Sequence, residues 1–433
     1  MHDEPQTLET AAPPARTSTP TATVGDSPAP DRPALWVVRL VLVGLVLAAL
    51  NLRPAITSLG ALLEEVRDGL HMSGSVAGVL TSVPPLCFAV FGITAPRLAR
   101  RFGPAAVVCA GMAAIFAGLA VRPFASGTVG FLAASALALM GIAVSNVLMP
   151  VIVKRYFPDR VGSVTGLYSM ALALGTSLAA AATVPMTEAL GGNWRTGLGV
   201  WGLLAALAVL PWIPLLRDRG TKPAADPAPG AAPHATPAAA PLRITRSRTA
   251  WALGAFFGLQ ATGAYITMGW MPQIFRDAGV PAGTAGVLLA VTMVMGVPLA
   301  FVIPRLATRL KNQGPIAVGL GLCGLVGYTG LYLAPAAGAW IWALLLGVSN
   351  CSFPLALTMI GMRSRSGAGV VRLSAFAQSV GYLISIPGPL LVGVLYQHSG
   401  GWGLPIALMA GLMVPQMIVG TLAGRDRTVE DEC

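Results

Sequence analysis

Arg53 is the residue whose type and position demand a chemical explanation. It sits in Ala49-Leu50-Asn51-Leu52-Arg53-Pro54-Ala55-Ile56-Thr57-Ser58, deep in an apolar run that begins at Trp36 and holds one earlier charge, Arg39. At a rise of about 1.5 Å per residue, Arg53 falls roughly 25 Å from Trp36 along a helix. A charge at that depth of a bilayer costs at least about 2.5 to 3.5 kcal/mol, so it faces a polar interior rather than lipid. Such a guanidinium can pair with a neighbouring helix, snorkel to headgroups or coordinate an anion. An ionisable group inside a membrane is a functional hypothesis by default, which favours anion coordination. Asn51 and Thr57 add polar atoms within a turn or so, and Thr57, four residues on, shares the Arg53 face. Pro54 lacks a backbone donor and loosens the helix beside the charge.

Other polar side chains recur inside apolar runs. Asn146 and Asn350 are each followed by a proline four residues later, and either one can bond a substrate or a neighbouring helix. Gln260, Tyr265 and Trp270 offer uncharged donors and aromatic faces, as does Gln378 beside Tyr382. Arg53, Asn51, Thr57, Asn146, Gln260, Tyr265, Trp270, Asn350 and Gln378 are thus the expected substrate-binding set. With one fixed positive charge among them, a monovalent anion suits the site better than a divalent one. Carboxylates are missing from this depth: Glu64, Glu65, Asp68, Glu188 and Asp277 all fall near the ends of apolar runs. Glu64 and Glu188 are the protonatable candidates, Glu64 lying on the Arg53 face about 16 Å further along the helix.

The elements that must position these groups are membrane helices. The 433 residues are 55% hydrophobic and 10% charged, whereas soluble chains carry about 25% charged residues. Apolar runs long enough to span occur at 36–60, 74–96, 105–125, 128–152, 162–186 and 196–216, then at 251–275, 283–304, 315–335, 338–361, 370–396 and 402–422. Twelve spans in two sets of six are expected, an all-α integral membrane fold. The halves are residues 36–216 and 251–422, joined by a Pro/Ala-rich linker at 217–250 and flanked by a disordered tail at 1–35 and a short tail at 423–433. The first tail lacks the pattern of a signal peptide.

Lysines and arginines fix the orientation. Spans that each cross once put 23 of them on one side and leave only Arg67, Arg122, Arg195 and Arg276 on the other. The first side, with both termini and the linker, is expected to be cytoplasmic. It includes Arg97, Arg100, Arg101, Lys154, Arg305 and Arg309, the candidates for gating at the cytoplasmic loops. The basic residues lie in short clusters rather than one patch, so nucleic acid is not an expected partner. The five cysteines form no Cys-x-x-Cys and give no disulfide or zinc framework, and no cofactor or metal is expected.

The halves also repeat. Ala95-Pro96-Arg97-Leu98-Ala99 returns as Ile303-Pro304-Arg305-Leu306-Ala307, and Ala77-Gly78-Val79-Leu80 as Ala285-Gly286-Val287-Leu288, both 208 residues on. Ser145-Asn146-Val147-Leu148-Met149-Pro150 returns as Ser349-Asn350-Cys351-Ser352-Phe353-Pro354, and Gly191-Gly192-Asn193-Trp194 is echoed by Gly400-Gly401-Trp402. Matches in the same order at nearly constant offset mean parallel duplication, with a pathway between the two halves.

Twelve spans, the repeat and a basic loop after spans two and eight resemble the major facilitator superfamily from about Trp36 to Leu422. The signature loop of that superfamily carries an Asp ahead of its basic residues. Here Pro96-Arg97-Leu98-Ala99-Arg100-Arg101-Phe102-Gly103 has Arg100 at that place, so the ion pair attributed to the Asp does not carry over. Asn51-Leu52-Arg53-Pro54-Ala55-Ile56-Thr57-Ser58-Leu59-Gly60, with Lys154-Arg155-Tyr156-Phe157-Pro158, Gly166-Leu167-Tyr168, Trp194-Arg195 and Trp201, is more closely similar to the cyanate and 2-nitroimidazole transporter group, the CynX/NimT family. That resemblance implies a secondary transporter of small anions or polar organic solutes, a monomeric permease of the cell membrane working by alternating access.

Competing classes find less support. Drug-type efflux of hydrophobic cations calls for a cavity carboxylate that the sequence lacks. A membrane enzyme would show a Walker A loop, His-Glu-x-x-His or Gly-x-Ser-x-Gly, and none is present. A non-transporting membrane sensor is separable only by asking whether solute crosses the bilayer.

Overall fold

The computed structural model describes residues 35–216 and 243–432. The expected tail at 1–35, apart from Leu35, and most of the linker lie outside the described residues. The N-terminal half contains α1 (Leu35–Asn51), α2 (Pro54–Ala61), α3 (Leu63–Gly69), α4 (Gly74–Phe102), α5 (Pro104–Val121), α6 (Thr128–Tyr156), α7 (Val161–Ala189), α8 (Trp194–Val209) and α9 (Trp212–Leu215). The C-terminal half contains α10 (Arg248–Asp277), α11 (Ala282–Val294), α12 (Gly296–Arg309), α13 (Gly314–Leu333), α14 (Ala339–Asn350), α15 (Ser352–Met362), α16 (Gly367–Ser385), α17 (Pro387–Ser399) and α18 (Gly403–Ala423).

Local chemistry sets these boundaries. Ser73, Asn193, Ser247 and Ser366 cap α4, α8, α10 and α16 by accepting backbone N–H groups. Several spans are chains of shorter helices. The first runs through α1, α2 and α3, and its break falls at Leu52-Arg53 because Pro54 begins the next helix with no N–H to give. Pro387 stands likewise at the start of α17, after the break that ends α16.

Among the described residues ten helices are long and apolar enough to cross a membrane. The twelve-span expectation needs two more, in the places of α8, which has only 16 residues, and α10, which has 30 but is not among the ten. The linker boundary shifts, since Ser247 already caps α10 and Arg248 to Ala250 are its first turn. The expected C-terminal tail is folded too. Its Val429 N–H donates to the Arg363 carbonyl, and Glu432 accepts from Ser247 and Thr249 at the start of α10.

The two ends of the bundle differ. One carries Arg97 to Gly103, Lys154 to Arg160 and Arg305 to Gln313 and is called the basic end; the other carries Glu64, Glu65 and Asp277 and is called the acidic end. The halves meet through α4 with α16 and α17, α7 with α11, and α2 with α10. At the acidic end a shared apolar core runs from Leu59, Leu62 and Leu63 to Ile266, Trp270, Met271 and Ile274, all buried.

Candidate functional site

Arg53 stands at the break between α1 and α2, held there by the proline that follows. The Ile56 and Thr57 N–H groups both donate to its carbonyl, so α2 grows from Arg53 itself. α7 crosses close behind the break: a Cβ at Gly175 would lie 2.2 Å from the Leu50 carbonyl oxygen, which only glycine accommodates. Arg53 lines a cavity of about 390 Å³ between the halves.

Its surroundings are aromatic and hydroxylic. It faces the Tyr265 hydroxyl, lies within electrostatic reach of Tyr382 and Tyr168, and sits 5.9 Å from the centre of the Phe88 ring. Among the described residues no carboxylate pairs with it. Phe88 stacks on Tyr382 at 5.0 Å and Tyr382 meets Phe257 edge-on, so the rings hold one another in place. A cation over such a ring gains about 0.5 to 2 kcal/mol, far short of a full counter-charge. The charge is therefore available to a ligand.

The cavity brings Arg53, Gln260, Tyr265 and Asn350 together from the expected set. Gln260 is buried and its Oε1 has no hydrogen-bond partner among the described residues; Asn350 contacts Met293 Sδ at 4.0 Å. Ser169, Thr176, Thr358 and Tyr382 complete the polar lining, which extends along Ala300, Pro304 and Leu357 toward the basic end.

The other expected residues are placed elsewhere. Asn51 is fully buried and donates to the Leu204 carbonyl of α8 at 2.8 Å, which fastens the first span to the sixth. The Thr57 hydroxyl turns back onto the Arg53 carbonyl at 3.2 Å. Trp270 is fully buried at the acidic end, its Nε1 donating to Thr81 Oγ1 at 3.1 Å across the two halves. Gln378 donates to Ser374 one turn away. Asn146 touches the site at second hand, accepting from the Tyr168 hydroxyl at 2.6 Å. It lies inside the unbroken α6, whereas its counterpart Asn350 ends α14; the same motif is used differently in the two halves.

The gating candidates Arg97, Arg100, Arg101, Lys154, Arg305 and Arg309 are all exposed at the basic end. Glu188 is exposed at the end of α7. Glu64 is paired with Arg276 of the other half at 2.8 Å, and Glu65 joins the same cation at 2.9 Å. Ser75 donates to Gln397 Oε1 through both N–H and hydroxyl, and the Trp270 ring meets those of Tyr396 and Trp402. These contacts seal the acidic end.

Three participants escaped the sequence. Phe88 carries no polar signal, and Tyr168 reads as a packing aromatic unless its hydroxyl is given a partner. Arg122 reads in sequence as a loop cation, but it is 1% exposed. It turns inward and donates to the Ala55 carbonyl of α2 at 3.2 Å.

The Major Facilitator Superfamily profile matches residues 41–385. The 2-nitroimidazole transporter of Escherichia coli (strain K12) is 34% identical over 90% of this chain and 97% of its own length. The cyanate transport protein CynX of the same organism is 30% identical over 86% of this chain and 95% of its own. Among solved structures, the nucleoside transporter NupG superposes with a TM-score of 0.67 at 12% identity, over 89% of this chain and 98% of that one. That last likeness is one of fold.

Proposed function

Because the chain belongs to the major facilitator superfamily, we propose that it moves a small anion or polar organic solute across the cell membrane, with Arg53 at the centre of its site. It is a multi-pass membrane transporter of small solutes, and two relatives that match most of its length carry cyanate and 2-nitroimidazole in their names. Cyanate is a monoanion. Nitroimidazole is flat and presents partly negative nitro oxygens. One guanidinium, hydroxyl donors and an aromatic stack suit both.

The observation that carries the reading is the unpaired guanidinium on the cavity wall. The ligand supplies the counter-charge that the protein withholds. Tyr265 and Tyr382 come from the C-terminal half and Arg53 and Phe88 from the other, so a bound anion draws both halves onto itself. Release then follows when the halves rock about the site. The basic end is the cytoplasmic one, by the excess of arginine in its loops. With the acidic end sealed, the cavity is the cytoplasm-facing state. Both termini lie in the cytoplasm, the chain acts as a monomer and does no covalent chemistry. With no carboxylate or histidine on the cavity wall among the described residues, uniport and anion exchange both fit the site.

Uptake of labelled cyanate and 2-nitroimidazole into vesicles containing the purified protein tests this. A hydrogen bond to a charged group is worth about 1.5 to 3 kcal/mol, so Arg53→Ala lowers uptake at limiting substrate by about 10- to 150-fold. Arg53→Lys retains more, because the charge remains. Uptake by Arg53→Ala equal to that of the unaltered protein removes Arg53 from the site.

A further inference from the structure

A second buried guanidinium has no counter-charge, and it lies outside the central cavity. Arg122 follows α5 in a short turn and points between α2, α4, α6 and α10. Only its Nη1 is satisfied, by the Ala55 carbonyl; Nε and Nη2 have no partner among the described residues, and no carboxylate pairs with it. The ring of Phe131 lies 5.6 Å beneath it. One turn along α6, Ser135 is 1% exposed and its hydroxyl is also without a partner.

These two side chains line the same void of about 20 Å³, walled by Ile56, Leu59, Leu80 and Pro84. A void of that size holds about one water-sized body. A buried charge without a partner is strongly unfavourable, and neither water nor a ring face neutralises it. An occupant must be small enough for the void, negative, and able to accept from two guanidinium nitrogens and a hydroxyl.

We propose that Arg122 and Ser135 hold a small monovalent anion of halide size between α2, α4, α6 and α10. The central cavity takes a larger solute; this void takes a bare ion. It lies on the acidic side of Arg53, shares the Tyr265 wall with the main cavity, and borders Gly60 and Gly269, which belong to the seal. The bound ion thereby neutralises the N-terminal half just behind the surface that closes. Anion binding at Arg122 does not depend on what Arg53 carries.

The test is a melting series on the purified full chain in detergent, in sodium gluconate with increasing chloride or bromide at constant ionic strength. A ligand held only by the folded state raises the melting temperature with its concentration and saturates. A saturating rise is expected for the unaltered protein and for Arg53→Ala, and its loss for Arg122→Gln. A rise of the same size in Arg122→Gln, or none in the unaltered protein, overturns the proposal. A rise lost only in Arg53→Ala also overturns it and assigns the halide to the central site. Should Arg122→Gln fail to fold, bromide-soaked crystals of the unaltered protein decide the question. An anomalous peak against Arg122 and Ser135 supports the site. Density there without anomalous signal means a water, and overturns it.

Discussion

The acidic and basic ends of the bundle treat the boundary between the halves in opposite ways. At the acidic end the halves touch backbone to backbone. A Cβ at Gly60 would lie 2.0 Å from the Met268 carbonyl oxygen, one at Gly286 2.5 Å from that of Ala180, and one at Gly393 2.4 Å from that of Gly74. Around these crossings stand the Arg276 pairs with Glu64 and Glu65 and the Trp270–Thr81 bond. At the basic end the polar contacts among the described residues stay inside one half. Buried Arg363 donates to the carbonyls of Ala423 and Gly424 and to Gln313, and Arg365 pairs with Asp431. A seal that must open is thus made of contacts that are complete or absent, trimmed by a few exposed charges, while the permanent joints are kept within a half.

The sharpest way to break this contrast is at Gly60. Alanine there cannot be absorbed by a side-chain movement, because the obstacle is backbone oxygen. Overpacking of this kind costs about 1 to 3 kcal/mol, a shift of about 5- to 150-fold away from the sealed arrangement. A cysteine at Leu80, buried behind the seal, reports it in a chain whose own cysteines are replaced. Gly60→Ala is expected to speed its reaction with a membrane-impermeant maleimide by about that factor. Unchanged labelling means that α2 and α10 part without strain and that glycine there is incidental.

What the sequence disclosed and what it hid divide along the same physical line. Period and charge are local, so the apolar runs, the duplicated motifs and the depth of Arg53 were legible. Side-chain direction at a helix end is not local. Arg122 is followed by Pro123 in a turn, which reads as a loop cation, yet the Ala55 carbonyl, 67 positions away, turns it inward. Thr57 shares the Arg53 face by arithmetic, but its hydroxyl turns back onto the Arg53 carbonyl, beside the Ile56 and Thr57 N–H groups that already donate there. Asn51 and Trp270 bond to distant helices, and in sequence a buried polar group satisfied in that way looks the same as one awaiting a ligand. Tyr168 and Tyr382 gain their meaning only from the guanidinium between them.

The ionic trim of the seal predicts a smaller effect. The Arg276 side chain is 16% exposed, but Glu64 and Glu65 are 39% and 31% exposed, so solvent screens both pairs. Exposed pairs contribute about 0.2 to 1 kcal/mol each, and Arg276→Gln is expected to raise Leu80→Cys labelling by about two- to thirtyfold for the two together. Salt separates this from packing. Labelling of the chain with Arg276 intact rises as ionic strength shortens the screening length, while the Arg276→Gln chain is indifferent. A salt response of the same size in both would mean that the ion cluster plays no part in closure.

The basic end gives the smallest effect and the opposite sensitivity, because its carboxylates hold a joint that does not open. Burial opposes ionisation of Glu430, but donation from the Ser364 hydroxyl and from the Arg365 N–H brings its carboxyl below the usual range. Glu432 is lowered in the same way, burial again opposing, by Ser247 and by both donors of Thr249. Asp431 is lowered by Thr428 and Arg365. Carboxyls with depressed folded-state values stabilise the docked tail fully above the unfolded range of about 3.9 to 4.3, and the contribution drains away as pH falls through the lower folded values. Hydrogen exchange at the Val429 amide, which donates to the Arg363 carbonyl, reads the docking directly. After correction for intrinsic rates, its protection is expected to be flat from pH 8 to about 5 and to decline only below about 4. Protection that falls already near pH 6 would require a histidine or another group at the joint, and the tail would then be held by something other than its three carboxylates.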